Sequence, residues 1–263
     1  MMEENFFQEE ETKENSSETI SIDSALSIDE VHEIFDDRVL EVEKYFKFLE
    51  EILSENTYLC FEMKRTHKRK KLDIDTQRIL KANGFLILYN LVESTIKKSI
   101  GAIYKAMLVD GLSYKDIREE LKDIWIKNNY TNYKDANDNN FKAFIKTILK
   151  DVLDEVTLKL DSDKIPISGN VDAKKIRLLG QSYGFSCSTR KKNHGGRLHI
   201  VKIERNSLAH GDISFAECGG NHTVEDLVSI KKEVITYVRA ILNNIKKYID
   251  KGEYASTEYR ARN

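Results

Sequence analysis

Arg205 and His210 are the two residues of this sequence whose types best suit chemistry on a phosphodiester. A histidine is a suitable general base because its side chain exchanges a proton near neutral pH. An arginine presents a planar fork of donors that binds a phosphate and offsets charge developing on its oxygens. The spacing alone is a weak indication, because 12 Arg and 6 His in 263 residues give about 0.8 pairs by chance at separations of five to seven positions. The hypothesis therefore depends on the elements that position the pair.

Both residues are predicted to lie on one helix, residues 197–210, which ends at Gly211. On an ideal helix their side chains are about 140° apart around the axis and about 7.5 Å apart along it, so one straight helix cannot easily place both on one phosphate. Asn206 and His210 share a face, so that Asn206 could hydrogen-bond His210 and fix its tautomer. A second copy of the helix across a two-fold axis would bring two Arg and two His around one cleft.

The rest of the chain is predicted to be an all-α antiparallel helical bundle. One Pro and 12 Gly in 263 residues, with abundant Lys, Glu, Leu and Ile, favour long helices. Capping boxes begin at Ser27, Ser113 and Thr223. Apolar residues at helical spacing predict further helices at residues 27–53, 75–108, 113–125, 140–158 and 224–249.

Three regions are predicted along the chain. Residues 1–26 form an acidic, mobile tail, because apolar residues are sparse there. Residues 27–250 form the helical domain, in which the only proline lies within a less regular insertion at residues 161–196 that packs on the bundle. Residues 251–263 form a C-terminal tail.

Longer strings around the pair resemble a known family. They are Glu-Arg-Asn-Ser-Leu-Ala-His-Gly-Asp at residues 204–212, Ile-Ser-Phe-Ala-Glu at residues 213–217 and Ser-Gly-Asn-Val-Asp-Ala-Lys-Lys-Ile at residues 168–176. These strings resemble the MAE-type bacterial branch of the HEPN superfamily, which has an Arg followed after four to six residues by a His. The resemblance covers most of residues 28–250. It implies a HEPN-like bundle, an RNase-related role in antiphage defence or a toxin-antitoxin system, and catalysis by Arg205 and His210 with Asn206 beside them.

The resulting prediction is a metal-independent endoribonuclease that acts as a homodimer. RNA supplies its own nucleophile in the 2′-hydroxyl group, so His210 as general base and Arg205 as phosphate binder need no metal and no cofactor. The products would be 2′,3′-cyclic phosphate and 5′-hydroxyl ends, and DNA would not be cut. The expected partners are RNA, a second copy of the chain, and an antitoxin or defence-system protein.

Three alternatives remain open at this stage. The chain could be a non-catalytic HEPN module that binds RNA, nucleotide or a partner protein through the same cleft. It could be a purely structural bundle, in which case His210 would be buried in a monomer. Arg205 could also be a helix-end cation that pairs with Glu204, Glu217 or Asp212, with His210 stabilised by the helix dipole.

Other residues are weaker candidates. Glu93 interrupts the apolar face of the second helix and could orient His210 or Arg205, although a salt bridge to Lys97 is the more ordinary role. Two basic runs could follow an RNA backbone, and they supply as candidate substrate-binding residues Lys68, Arg69, Lys191 and Lys192. Four possible zinc ligands, Cys187, His194, Cys218 and His222, lack a recognised spacing.

Composition limits the remaining classes of function and of partner. The formal net charge is −2, so nucleic-acid contact must come from local patches. Three widely spaced cysteines and no secretion signal favour a reducing cytoplasm. No apolar run approaches the length of a membrane span, so we expect no membrane partner.

Overall fold

The computed structural model describes residues 25–63, 66–130, 138–167, 169–189 and 194–262. Helices dominate these residues, and the predicted all-α class is confirmed. The helices are α1 Ile28–Ile52, α2 Ile74–Val109, α3 Glu119–Tyr130, α4 Asp138–Leu153, α5 Ala173–Tyr183, α6 Gly196–His210, α7 Phe215–Gly220, α8 Val224–Asp250 and α9 Thr257–Arg262. The strands are β1 Leu59–Met63 and β2 Thr66–Lys70.

Helix α2 is the centre of the bundle and packs against α1, α6, α7 and α8. Its sequence is apolar on most of its circumference, as expected for a helix surrounded by others. The predicted stripe is confirmed where Tyr89, Ile96 and Ile103 are almost completely buried. α2 therefore provides the surface on which α6 is placed.

The predicted capping boxes at the two long outer helices are confirmed. Ser27 begins α1 and accepts from the backbone N–H of Glu30 at 3.3 Å, while the Glu30 carboxylate accepts from the Ser27 N–H at 2.6 Å. Thr223 and Asp226 form the same reciprocal pair at the start of α8. These interactions fix the residues at which the two helices begin.

The third capping box does not begin a helix. The backbone N–H and hydroxyl of Ser113 both donate to Asp116, but α3 starts only at Glu119. The intervening backbone pairs with the C-terminal segment instead, since the Arg118 N–H donates to the Tyr254 carbonyl at 3.1 Å and Ile117 forms a β-bridge with Ala255. A long-range pairing thus replaces the first helical turns that the local sequence favours.

The region between residues 161 and 196 packs on the bundle through α5. Its inward side chains Ile176, Leu179 and Tyr183 are buried and follow each other at helical spacing. The Tyr183 hydroxyl pairs with that of Tyr104 on α2 at 2.5 Å. Further along the chain, Tyr254 and Ala255 are also buried, within the predicted C-terminal tail. Residues 1–24 of the predicted N-terminal tail lie outside the described residues.

Among the described residues, none of the helices combines the length and apolar character that crossing a membrane requires.

Helix α7 approaches α2 so closely that Gly219 has no room for a side chain. A Cβ atom there would lie 1.8 Å from the carbonyl oxygen of Arg78, a backbone atom that cannot move aside. We therefore expect Gly219→Ala to destabilise the fold by about 2–3 kcal/mol, which lowers Tm by roughly 5–10 °C for a chain of this size. Thermal unfolding followed by circular dichroism measures the change.

The adjacent Gly220 is the matched control. A Cβ atom at Gly220 would have its nearest neighbour at 3.5 Å, in the flexible side chain of Arg78. Gly220→Ala should leave Tm unchanged or slightly higher. Equal losses in the two variants would contradict the assigned approach of α7 to α2.

Candidate active site

Helix α6 ends where the sequence predicts. Gly211 follows its last residue with φ of 76°, and the N–H of Asp212 donates to the Ser207 carbonyl at 2.9 Å. A left-handed residue at this position closes a helix, and glycine adopts that conformation without strain. Leu208 faces the core, and His210 occupies the last, exposed position of the helix.

Arg205 lies against an aromatic ring and is half-buried. Its guanidinium carbon is 4.4 Å from the centre of the Tyr89 ring on α2, and its Nη1 donates to the side-chain oxygen of Asn206 at 2.9 Å. Among the described residues, no carboxylate lies within ion-pair distance of Arg205. The alternative ion pair of Arg205 with Glu204, Glu217 or Asp212 is therefore not formed in the structure. Its charge is held by a ring face and an amide.

The Tyr89 ring is itself fixed in place. Its hydroxyl accepts from the backbone N–H of Val171 at 3.1 Å and contacts a carboxylate oxygen of Glu93 at 3.4 Å. Burial raises the pKa of this hydroxyl above its ordinary value, so Tyr89 stays neutral. The guanidinium thus rests on a neutral ring whose orientation two hydrogen bonds determine.

Glu93 also helps to fix the position of the Tyr89 ring. One of its carboxylate oxygens accepts from the backbone N–H of Gly169 at 2.6 Å. The ordinary alternative, a salt bridge to Lys97, is not formed, because the Lys97 amine lies 4.0 Å from Asp163 instead. Glu93 therefore holds Tyr89 and the chain at Gly169, which agrees with a role in orienting Arg205. Direct contact of Glu93 with a substrate stays a prediction.

Residues 169–172, which we call the covering loop, close over the side chains of α6. The side-chain amide of Asn206 donates to Asn170 at 3.3 Å. Asp172 caps α5 and pairs with both Lys202 and His199, the latter at 3.5 Å. The covering loop thus joins the Tyr89 ring on α2 to Arg205 and Asn206 on α6.

Asn206 does not orient His210 as expected. Its side-chain oxygen accepts from Arg205 and its amide nitrogen donates to Asn170, so both ends are occupied. A charged donor forms the stronger hydrogen bond, which explains why Asn206 turns towards Arg205. Sequence reasoning therefore placed Asn206 at the site but assigned it the wrong partner within one chain.

His210 has no side-chain partner among the described residues and is exposed at the end of α6. The alternative of a buried structural histidine is therefore wrong. Ile203, on the same side of the helix, is 45% exposed although it is apolar. Two surface cavities of the described chain lie elsewhere, one between α1 and α8 and one beside Arg118. The motif thus lies on an open helix face.

Behind the motif, the acidic neighbour of Arg205 is engaged on the other side of α6. The carboxylate of Glu204 contacts His222 Nε2 at 3.1 Å and accepts from the Cys218 thiol at 3.3 Å. Burial, with the Glu204 carboxylate beside it, raises the pKa of Cys218 to about 12, so this thiol is unreactive. In the part of the chain that the structure describes, no three His, Cys, Asp or Glu side chains are arranged to hold a metal ion.

Two of the four predicted substrate-binding cations belong to the described residues, and they lie on a different element from Arg205. Lys68 and Arg69 are exposed on β2. Lys191 and Lys192 lie outside the described residues. Sequence reasoning missed Tyr89, Gly169 and Asn170, and the resemblance of residues 168–176 to the family was the one signal that this segment belongs near the motif.

The fold and the motif together define an all-α protein that presents an Arg, an Asn and a His at the end of one helix. A family model described as MAE_28990-like HEPN matches residues 27–254. The chain therefore belongs to the HEPN family, as the resemblance predicts. No curated protein and no solved structure matches it.

Proposed function

We propose that the protein is a metal-independent endoribonuclease of the HEPN type, with Arg205 of one copy and His210 of another at a shared site. The observation that supports this most directly is the Arg205 guanidinium, held by the neutral Tyr89 ring and the Asn206 amide. A guanidinium paired with a carboxylate would be neutralised. Held by neutral groups, it keeps its full charge for a phosphate.

His210 supplies the second component of the proposed reaction. Its imidazole removes the proton of the ribose 2′-hydroxyl, and the resulting oxygen attacks the adjacent phosphorus. The bond from phosphorus to the 5′ oxygen breaks, and that oxygen takes a proton from water as it leaves. Arg205 binds the phosphate oxygens as charge develops on them. The products are a 2′,3′-cyclic phosphate and a 5′-hydroxyl end.

The geometry of α6 supports a dimer. Arg205 and His210 point to different sides of one helix, separated by about 140°. The side with His210 also presents the exposed apolar residue Ile203, which a second copy of α6 would cover. A two-fold axis beside this face places each His210 near the partner's Arg205.

The test is cleavage of mixed-sequence RNA by the full chain in the presence of EDTA. We expect cleavage that EDTA does not inhibit, with cyclic phosphate ends, and none at a position whose 2′-hydroxyl is replaced by hydrogen. Cleavage of the deoxy position would contradict the proposed mechanism. Intact RNA with retained binding would favour the non-catalytic HEPN module.

We place this activity in antiphage defence or a toxin-antitoxin system, which the resemblance to MAE-type HEPN proteins supports. Induced expression of the chain in bacteria should then arrest growth, and expression of His210→Ala should not. A second protein that restores growth when expressed with the parent chain would be the proposed antitoxin.

The covering loop provides a test of how Arg205 is positioned. Gly169 has φ of +65°, and a Cβ atom there would lie 3.4 Å from Nη1 of Arg205. The added methyl group fits at van der Waals distance, so the expected effect comes from the backbone: alanine is strained at this φ, and relief of the strain moves the loop whose N–H donates to Glu93. Gly169→Ala should therefore shift the guanidinium and lower the cleavage rate by at least about tenfold, since small misplacements at an active site are costly. Single-turnover cleavage at saturating protein measures this.

Gly111→Ala is the matched control, because Gly111 has φ of +64° with nothing within 4 Å of the added Cβ. Both variants incur the same backbone strain of about 1 kcal/mol. Only Gly169→Ala should lose activity. A parallel loss in Gly111→Ala would mean that stability, and not the position of Arg205, causes the effect.

A further inference from the structure

We infer that the β1–β2 hairpin is an arm that binds single-stranded RNA, with Tyr58 and Phe61 stacking on bases and Lys68, Arg69 and Lys70 contacting phosphates. The choice of RNA as the ligand rests on the proposed function. The arm itself is inferred from the hairpin's exposure, its charge and its place in the fold.

The hairpin projects from the helical body. β1 and β2 pair antiparallel with each other, and neither strand packs extensively on a helix of the described chain. Tyr58 is 48% exposed and Phe61 is 47% exposed. Large aromatic side chains at such exposure leave much of their ring surface for a ligand.

The register brings aromatic and basic side chains to one face of the ribbon. Phe61 is opposite Lys68, and Leu59 is opposite Lys70, so these four side chains share a face. Arg69, opposite Cys60, lies on the other face. Lys71 follows directly, and its amine lies 5.4 Å from the centre of the Tyr58 ring. Each ring therefore has a cation beside it, Lys68 for Phe61 and Lys71 for Tyr58.

Positive charge is concentrated here in a protein that is otherwise balanced. Residues 64–71 contain six Lys or Arg, whereas the whole chain has a formal net charge of −2. Glu62 is the acidic residue within β1. Lys68 and Arg69 form no ion pair with any described residue, so their charges are not neutralised within the described chain. A polyanion is the ligand that this charge favours.

The base of the arm lies near α7, the helix that follows the motif helix α6 in the chain. The hairpin leads into α2, whose residue Arg78 contacts Gly219 of α7. α7 begins five residues after His210. Arg205 contacts Tyr89, about three turns further along α2. An RNA strand bound to the arm would thus pass near the end of α6 that presents His210.

Exposed rings favour a single strand over a duplex. Each unpaired base offers a face on which an aromatic side chain can stack, and stacking with phosphate contact is the usual basis of binding to single strands. In a duplex the bases are stacked on each other and are not accessible to Tyr58 or Phe61.

The experiment measures binding of a labelled, unstructured RNA of about 20 nucleotides to the full chain carrying His210→Ala, which prevents cleavage. Phe61→Ala added to this parent should weaken binding about 5- to 100-fold. The triple variant Lys68→Gln, Arg69→Gln and Lys70→Gln should flatten the slope of log K against log salt by about 2.

Matched controls use exposed residues on the helical body. Leu40→Ala removes a side chain that is 58% exposed on α1. The triple variant Lys44→Gln, Lys47→Gln and Lys251→Gln removes three cations from other exposed positions. Both controls should retain the affinity of the parent and the salt slope of the parent.

Four results would overturn the inference. The first is an unchanged affinity for RNA in the hairpin variants. The second is an equal loss of affinity in the controls on the helical body. The third is that the hairpin variants weaken the binding of single-stranded RNA and of duplex RNA equally. Binding of the arm to an acidic peptide without binding to RNA would also overturn it. If the unaltered chain cleaves no RNA but the hairpin variants weaken binding as expected, the arm stands and the proposed ribonuclease fails.

Discussion

His210→Ala is expected to lower the rate of RNA cleavage by about 10²–10⁴-fold, the usual contribution of a general base. The imidazole is exposed at the end of α6, and it has no side-chain partner among the described residues. Removing it should therefore change the free energy of unfolding by less than about 0.5 kcal/mol. Initial rates of cleavage and a denaturant titration of the same preparation separate the two effects.

A loss of activity together with a large loss of stability would contradict this assignment, because His210 would then have a structural role. A rate within a fewfold of the parent would exclude His210 as the base. The pH profile adds a check, since removing the base should abolish the rise in rate with pH that a general base produces.

Mixing two inactive variants is expected to restore cleavage. Arg205→Ala and His210→Ala should each be nearly inactive, yet after subunit exchange about half of the dimers contain one copy of each. In such a dimer the intact Arg205 of one copy meets the partner's His210. We therefore expect the mixture to cleave RNA at least about tenfold faster than either variant alone.

The alternative, a site within one chain, gives a different result. No chain in the mixture then has both residues, and the mixed rate equals the average of the two separate rates. A chain carrying both Arg205→Ala and His210→Ala, mixed with the single variants, serves as the control, because neither mixed dimer then combines an intact Arg205 with the partner's His210.

Local sequence signals predicted much of the helical framework. The stripe of α2, the capping boxes of α1 and α8 and the end of α6 at Gly211 all depend on residues a few positions apart. Such signals also placed Arg205, Asn206 and His210 on one helix. The signal at Ser113 failed because a backbone pairing with residues 254–256 was stronger.

The environment of Arg205 could not be predicted in the same way. Arg205 packs against Tyr89, which in the sequence is one of the regularly spaced apolar residues of α2. The covering loop, which holds the Tyr89 ring, lies within the region predicted to be irregular. The hairpin was missed because β2 contains three cations and no large apolar residue, so its sequence shows no alternation of apolar and polar positions. In each case the contact that matters joins residues with no shared local pattern.

The covering loop has a consequence for when the site can form. The hydrogen bonds from Gly169 to Glu93 and from Val171 to Tyr89 join residues 76 and 82 positions apart, and Asn206 reaches back 36 positions to Asn170. Contacts at such separations form late, since the entropy of closing the loops must be overcome first. A nascent chain that ends before residue 205 therefore contains Tyr89 and the covering loop but no guanidinium to pack against them. The site can thus assemble only after the chain has been synthesised through α6.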